Sequence, residues 1–261
     1  MGVQLGLTLA AIAACAPPLS WVEPVTGMEF LYVSPARFRM GSGPEVAGRQ
    51  DDETLHDVVL TNGFYLGKYE VTQGEWSQIM GSNPSQFAEC GLRCPVETVS
   101  YFDIQEFIRR LEARSGGNRF RLPTEAEWEF ACRAGTDSPF STGATITSEQ
   151  ANFDGLYPNN GGPRGTFRES PVPVGSYPPN PWGFYDLHGN VWEWCEDWYN
   201  AYPEGEVRDP TGPAAGTLRV IRGGSWYFDA NSARSALRYT HAPHDSGFSL
   251  GFRLVREATP P

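Results

Sequence analysis

The chain has 261 residues, of which 40% are hydrophobic and 20% charged, a composition ordinary for a soluble globular protein with a sizeable core. Its 31 acidic and 20 basic residues give a net charge of −11, which argues against a nucleic-acid-binding surface, because such a surface needs clustered Lys and Arg. The 29 Gly and 22 Pro residues predict many turns and loops, and 8 Trp and 15 Phe supply large side chains for a core beneath them.

The first residues form an apolar leader. The run from Val3 to Ala14 is too short to span a bilayer and is typical of a signal-peptide core. Residues 12–15 resemble the lipobox at which bacterial signal peptidase cleaves before a lipidated Cys, although no Lys or Arg precedes them. A misplaced start and a fortuitous apolar leader are the alternatives. We expect residues 1–20 to be a leader, and the protein to be exported as a cell-surface or outer-membrane lipoprotein attached through Cys15.

Short strands and capped helices follow in chain order. Two stretches rich in β-branched and aromatic residues predict strands, EFLYVSPARFRMGS and DVVLTNGFYLGKYEVT. Capping boxes, in which a Ser or Thr and an acidic residue three positions later bond each other's backbone, predict three short helices. These pairs are Thr72 with Glu75, Ser100 with Asp103, and Thr124 with Glu127.

The second half of the chain is poor in helix signals. From Thr136 to Pro181 it is dominated by Gly, Pro, Asn, Ser and Thr, which predicts a long loop. Strand signals return in NVWEWCEDWY, LRVIRGGSW and SLGFRLV. Helices early and strands late, without βαβ alternation, predict an α+β domain with a modest antiparallel sheet. No linker divides the chain, so we expect residues 21–261 to form one domain.

Four cysteines follow Cys15, an even number that suits an oxidising compartment. Cys90 and Cys94 lie in the short loop CGLRC, where a local disulfide is expected. Cys132 lies in a predicted helix and Cys195 in a predicted strand; two buried thiols and a disulfide both agree with the sequence there. The spacing does not suit a zinc site, since no second Cys or His pair follows at the usual distance.

Six motifs occur in the order seen in the formylglycine-generating-enzyme (sulfatase-modifying factor) family. They are FYLGKYEVTQGEW, CPVETVSYFDIQEF, FRLPTEAEWEFACRAG, GFYDLHGNVWEWCEDWY, RVIRGGSW and LGFRLV. Together they extend from about Met28 to Arg256, so the chain resembles this family over nearly its whole length. The resemblance implies an elaborated C-type lectin fold that is rich in loops, with two or three helices and small antiparallel sheets.

The enzyme that gives this family its name is a copper oxidase with two nearby Cys thiolates, ligands that suit Cu(I). In this chain the segment after Ser225 contains no Cys, and Phe228 and residues 230–233 take the corresponding positions. We therefore expect no copper and no such catalysis. His241 and His244 do not predict a metal site, because a Pro between them opposes the helix that their spacing requires. The sequence also lacks an HExxH or phosphate-binding Gly motif.

The resemblance also implies a calcium site in the turn before the WEW strand. The matching ligands are Asp186, Gly189, Val191 and Glu193. Oxygen ligands in an irregular turn suit Ca²⁺. In the alternative interpretation Glu193 pairs with an Arg and Asp186 caps the turn.

The segment between Trp226 and Leu250 has an unusual composition. From Tyr227 to Ser249 it contains no Trp, Met, Gln, Glu or Lys, the residue types that cannot arise when both adenines of an Asn codon are randomised. It is rich in Tyr, Ser and Asn, as antibody paratopes are. This pattern resembles the variable region, about 226–250, of a diversity-generating retroelement protein, in which a C-type lectin fold displays mutagenised residues. The alternative is an ordinary surface loop.

We divide this segment and its flanks into two sets. The frame residues are expected to hold the fold: Arg222, Gly223, Gly224, Ser225, Trp226, Arg234, Ser235, Ala236, Arg238, Gly251, Phe252 and Arg253. The variable residues are expected to contact ligand: Tyr227, Phe228, Asp229, Asn231, Ser232, Leu237, Tyr239, Thr240, His241, Asp245, Gly247 and Phe248. Their five rings should form an exposed patch, the aromatic surface, made by Tyr227, Phe228, Tyr239, His241 and Phe248.

The resemblance thus predicts a non-catalytic display protein that binds varied proteins or other macromolecules at the cell surface. A family enzyme or accessory factor with a non-copper activity is the alternative.

Overall fold

The computed structural model describes residues 19–257. Cys15 and nearly all of the expected leader lie outside the described residues, so export and lipidation stay predictions. Within residues 19–257, no helix is both long enough and apolar enough to cross a membrane.

Twelve short strands are described. In chain order they are β1 (Ser20–Val22), β2 (Glu29–Val33), β3 (Ala36–Met40), β4 (His56–Leu60), β5 (Phe64–Gly67), β6 (Phe120–Arg121), β7 (Trp192–Trp198), β8 (Val207–Arg208), β9 (Arg219–Arg222), β10 (Tyr239–His241), β11 (Leu250–Gly251) and β12 (Val255–Glu257). They form three sheets with the orders β1-β2-β5-β12-β6, β10-β9-β7-β11 and β3-β4-β8.

Three α-helices begin where the capping boxes predict them. They are α1 (Gln73–Met80), α2 (Tyr101–Glu112) and α3 (Glu125–Arg133), and both hydrogen bonds of each capping box are present. Gly81 ends α1 in the left-handed conformation, with φ at 82°. The α+β class and the C-type lectin fold are confirmed.

Most strand pairs are antiparallel, as expected, but two pairs are not. β11 pairs with β7, and β8 pairs with β4, in parallel. Both pairings join segments that are distant in sequence, and such partners leave no local signal. The segment between Trp226 and Leu250 contains β10 and a 3₁₀ turn, Ala230–Ala233.

The frame residue Phe252 lies in the core beneath α1 and α2. Its ring makes edge contacts with Trp76 at 6.0 Å and Phe107 at 5.6 Å, and those two rings stack on each other at 5.2 Å. Phe252 is fully buried, as are Ile104 and Leu111 on the same face of α2. The last strands of the chain are therefore packed directly onto its first helices.

The structure shows the pairing state of the four cysteines that follow Cys15. A disulfide joins Cys90 to Cys94, as expected. Cys132 and Cys195 are free thiols, and both are buried, which decides between the two alternatives.

Candidate ligand-binding surface

Two glycines follow β9, at positions whose backbone conformation only glycine adopts readily. Gly223 and Gly224 have φ values of 98° and 72°, in the left-handed region. A Cβ on Gly224 would lie 2.9 Å from the backbone nitrogen of Ala233 and the carbonyl oxygen of Ser232. The double glycine thus allows the turn of residues 230–233 to pack against the end of β9.

Each of the four frame arginines forms an ion pair with a buried Glu from another part of the chain. The pairs are Arg222 with Glu129, Arg234 with Glu53 at 2.6 Å, Arg238 with Glu125 at 2.7 Å, and Arg253 with Glu193 at 2.6 Å. All eight residues are buried. Such pairs add little net stability compared with apolar packing, but losing one partner is costly because the other charge is left buried. They fix the position of the segment.

The pKa values agree with this arrangement. Burial alone would raise the pKa of Glu53, but the guanidinium of Arg234 outweighs it, and the pKa lies below its ordinary value. Burial is likewise outweighed at Glu125, where Arg238 and then Arg222 lower the pKa. Both carboxylates are therefore ionised at neutral pH.

The five rings of the aromatic surface form a continuous row on two buried tryptophans. The ring centroids lie 5.4 Å apart for Phe248 and Tyr227 and 5.9 Å apart for Tyr227 and Phe228. The row continues through Trp192, whose centroid lies 5.5 Å from those of both Phe228 and Tyr239. At the end of the row, the centroids of Tyr239 and His241 lie 6.2 Å apart. Trp226 supports Tyr227 and Phe248 from below, at 5.4 and 5.6 Å. The structure thus brings these five variable residues together on one face.

Exposure is uneven across this row. Tyr227 and Tyr239 are 53% and 50% exposed. Phe228, His241 and Phe248 are half-buried, because each ring rests on a tryptophan. For these three the expectation of free exposure is wrong.

Leu237 is the clearest departure among the variable residues. Only 5% of it is exposed, and it belongs to the hydrophobic core beside Trp192 and Ile221. Its place just after the Arg234 turn directs the side chain inward, where a polar replacement would be costly. We correct its assignment from a ligand contact to a core residue at the floor of the surface.

The polar variable residues differ in how far the fold uses them. Asn231 is engaged on both sides: its Oδ1 accepts from Asn159 and Arg234, and its Nδ2 donates to the carbonyl of Gly48. Asp229 is exposed, and its Oδ1 caps the 3₁₀ turn by accepting from the Ser232 nitrogen at 3.0 Å.

The remaining variable residues lie around His241. Asp245 contacts the Nδ1 of His241 at 3.2 Å. Thr240 lies in β10, and the carbonyl of Gly247 accepts from the Thr98 nitrogen at 2.9 Å.

A groove of about 530 Å³ lies beside the aromatic surface. It is lined by six of the variable residues and by five others; the eleven are Phe228, Asp229, Asn231, Ser232, Leu237, Tyr239, Gln50, Asp51, Asp52, Trp192 and Arg238. Residues 50–52 were missed by sequence reasoning. Their only signal is an acidic stretch, and their position depends on Glu53 pairing with Arg234.

The two free thiols do not form a catalytic pair at this groove. Burial raises the pKa of Cys132 to about 12 and that of Cys195 well above its ordinary value, so both stay protonated. His188 contacts Cys132 at 3.7 Å, but burial lowers the pKa of His188 to about 4. Its Nδ1 donates to the Ala233 carbonyl at 2.7 Å, and its Nε2 accepts from the Ser141 nitrogen at 3.0 Å. His188 is a structural residue that fastens the 3₁₀ turn to the long loop.

Two of the four expected calcium ligands, Asp186 and Glu193, are engaged by other groups of the protein in this arrangement. Both carboxylate oxygens of Glu193 are bonded to Arg253, at 2.6 Å each, and one also accepts from the Trp128 indole at 2.7 Å. Asp186 accepts from the Gly175 nitrogen at 2.8 Å. Between residues 19 and 257, no group of three His, Cys, Asp or Glu side chains is arranged to hold a metal ion. Calcium stays a prediction from the resemblance alone.

Known proteins resemble this chain both in sequence and in structure. The model of the sulfatase-modifying factor enzyme 1-like domain matches residues 21–258. The formylglycine-generating enzyme of Streptomyces coelicolor is 39% identical over 175 residues, which are 63% of this chain and 53% of that enzyme. The serine/threonine-protein kinase pkn1 of Chlamydia pneumoniae is 31% identical over 263 residues, which cover 87% of this chain and 38% of the kinase. The chain thus spans about two fifths to one half of the length of these relatives.

The structural comparison agrees. Variable protein 1 of Treponema denticola superposes with a TM-score of 0.78 and 28% identity, over 93% of this chain and all of that one. With a domain model that matches from residue 21 to residue 258, the chain belongs to the sulfatase-modifying factor enzyme 1-like family.

Proposed function

We propose that this chain is a non-catalytic display protein whose segment between Trp226 and Leu250 is diversified by a retroelement and binds varied protein or other macromolecular ligands. The observation that carries the proposal is the gathering of the variable rings on one face, above a frame of buried Arg–Glu pairs. The likeness to a protein named variable protein 1 supports it.

Physical separation of the two residue sets makes such diversification tolerable. The buried ion pairs of the segment come from frame residues, whose partners lie elsewhere in the chain. Tyr227 and Tyr239 project from that frame and can change without opening the core. Large aromatic side chains with few rotatable bonds provide contact area at low entropic cost, as in paratopes.

The place of action is part of the same proposal. Export, a lipid anchor at Cys15 and a position on the cell surface would present the aromatic surface to macromolecules outside the cell. Metabolic labelling with a fatty acid, in the native chain and in Cys15→Ser, tests the anchor. Absence of label from the native chain would contradict it.

A second candidate is a family enzyme or accessory factor with a non-copper activity, and the 39% identity to a formylglycine-generating enzyme favours it. Against it stand the residues at the positions that correspond to the family's thiolates. Phe228 and Ala233 are apolar there, and the two free thiols described in residues 19–257 are buried and protonated.

An activity assay separates the two candidates. We expect no oxidation of a sulfatase-type Cys peptide to formylglycine by the full chain, with or without added copper, because no thiolate pair lies at the groove. Mass spectrometry of the peptide measures this, with an authentic family enzyme as the positive control. Turnover at a rate comparable to that control would contradict the display function. Sequencing the neighbouring DNA for a reverse transcriptase and an adenine-bearing near-copy of the segment tests the diversification.

A further inference from the structure

The groove beside the aromatic surface carries an excess of negative charge. Asp51, Asp52 and Asp229 line it, and the side chain of Asp51 is fully exposed. Asp229 is also exposed. Asp52 is half-buried, and one of its carboxylate oxygens accepts from the hydroxyl of Tyr199 at 2.8 Å. Three carboxylates therefore border one cavity.

The nearby guanidinium groups do not balance this charge. Arg238 lines the groove, but its Nε and Nη2 pair with Glu125 at 2.7 and 2.9 Å, and its Nη1 donates to the carbonyl of Asp52 at 3.3 Å. Arg234 is buried and makes two bonds to Glu53. Arg49 reaches Asp51 only at 3.9 Å, a distance at which an exposed pair contributes little.

The floor and walls of the groove are aromatic. The rings of Trp192, Phe228 and Tyr239 line it, and the centroid of Trp192 lies 5.5 Å from each of the other two. Ring faces attract ammonium and guanidinium groups, and their apolar bodies pack against alkyl chains. The protein already uses this contact elsewhere, since the guanidinium of Arg219 lies 3.6 Å from the ring centre of Trp198.

We infer that this groove binds a Lys or Arg side chain of a polypeptide partner. The rings of Phe228 and Tyr239 hold its alkyl chain and charged head, while Asp51 and Asp229 pair with the charge. A volume of about 530 Å³ accommodates one long side chain with its neighbours, and the adjoining aromatic surface contacts the rest of the partner. Asp51 and Asp52 lie outside the variable segment, so this preference belongs in part to the constant body of the protein.

The inference rests on the proposed function of the aromatic surface, and the test must separate the two. The test variant is the triple substitution Asp51→Asn, Asp52→Asn and Asp229→Asn. Asparagine keeps the shape of each side chain and an oxygen that can still cap the 3₁₀ turn or accept from Tyr199. The matched control removes three exposed carboxylates outside the groove: Asp57→Asn, Glu89→Gln and Glu204→Gln. Both variants have the same net charge.

A random peptide library displayed on phage is selected against the full chain and against both triple variants. We expect peptides enriched on the native chain and on the control to be rich in Lys or Arg. We also expect those peptides to bind the groove variant about tenfold more weakly, from the loss of three charge contacts. Equal weakening on the control would reduce the effect to net charge and overturn the inference.

A further variant, Tyr227→Ser with Tyr239→Ser, locates the binding. Peptides that lose affinity on this variant but carry no excess of Lys or Arg would overturn the inference about the groove while supporting the proposed function. If the selected peptides bind this variant and the groove variant as tightly as the native chain, the inference and the proposed function are both overturned. A selection that yields no peptide would also overturn both.

Discussion

Trp226 and Tyr227 are neighbours in sequence, yet 5% of the first side chain and 53% of the second are exposed. Trp226 lies among Phe87, Phe167 and Phe248, at centroid distances of 5.2, 6.1 and 5.6 Å. Its indole N–H has no hydrogen-bond partner in the described part of the chain, so its role is packing. One residue step thus separates a frame residue from a variable one.

We expect Trp226→Ala to lower the free energy of unfolding by about 3–5 kcal/mol, as large core truncations do. Tyr227→Ser should lower it by about 0.5 kcal/mol or less, as at surface sites generally. Urea denaturation measures both. Trp226→Phe serves as a control that keeps a ring and should cost much less than Trp226→Ala. Equal destabilisation by the alanine and serine variants would mean that Tyr227 is a core residue.

The sequence distinguishes these two residues only through the family motif RVIRGGSW, which ends at Trp226, because composition alone does not tell a buried ring from an exposed one. Leu237 illustrates the limit. It is a residue type that randomised Asn codons can encode, and it lies between two frame residues, yet the turn after Arg234 directs it into the core. Such a direction depends on tertiary packing, which the codon argument does not describe.

At the scale of elements, the pair between Arg234 and Glu53 connects the 3₁₀ turn to a segment about 180 residues earlier in the chain. Arg234 also donates to the carbonyl of Gly48 at 2.8 Å. We expect Arg234→Met to lower the free energy of unfolding by about 3–5 kcal/mol, because the charge of Glu53 would be left buried without its positively charged partner. Thermal or urea unfolding measures this.

The matched control is Arg109→Met, which breaks a pair with Glu106 on the surface of α2. This exposed pair is expected to leave the unfolding curve almost unchanged. The double variant Arg234→Met with Glu53→Leu should recover part of the lost stability, since it removes the unpaired charge. A single variant as stable as the native chain would contradict the fastening role of this ion pair.

Which elements could be predicted depends on how local their causes are. The three helices begin at capping boxes whose two residues are three positions apart, and these are visible in the sequence. β12 instead lies between β5 and β6, whose residues come much earlier in the chain. The parallel pairs of β7 with β11 and of β4 with β8 likewise join segments that are far apart in the sequence. Pairing between distant segments is decided by the packed fold, and no nearby residue encodes it.

The stability of the whole molecule should depend on pH through Asp197. Burial, and after it the charge of Glu125, raise the pKa of Asp197 from its ordinary value to about 8. The folded protein therefore binds a proton there that the unfolded chain releases at lower pH. This contribution is complete below about pH 4 and is lost as pH rises to about 8.

We expect Asp197→Asn to flatten the decrease in stability between pH 5 and pH 8, because asparagine cannot lose a proton and still accepts from the Glu125 nitrogen. Melting temperatures at several pH values measure this. Asp57→Asn, an exposed carboxylate, is the control and should keep the native pH dependence. A native curve that rises over this range would contradict the raised pKa.

The four buried ion pairs have a consequence at the level of the genetic code. Every arginine of these pairs lies between Arg222 and Arg253, and every glutamate lies outside that interval. Glutamate codons always contain adenine, whereas the arginine codons CGT, CGC and CGG contain none and CGA contains it only at the silent third position. A mutagenesis that strikes adenines within the segment therefore has no acidic partner to destroy, and it spares the arginines wherever they use CGN. Sequencing the gene checks this: AGA or AGG at Arg234 or Arg238 would expose the frame itself to the proposed variation.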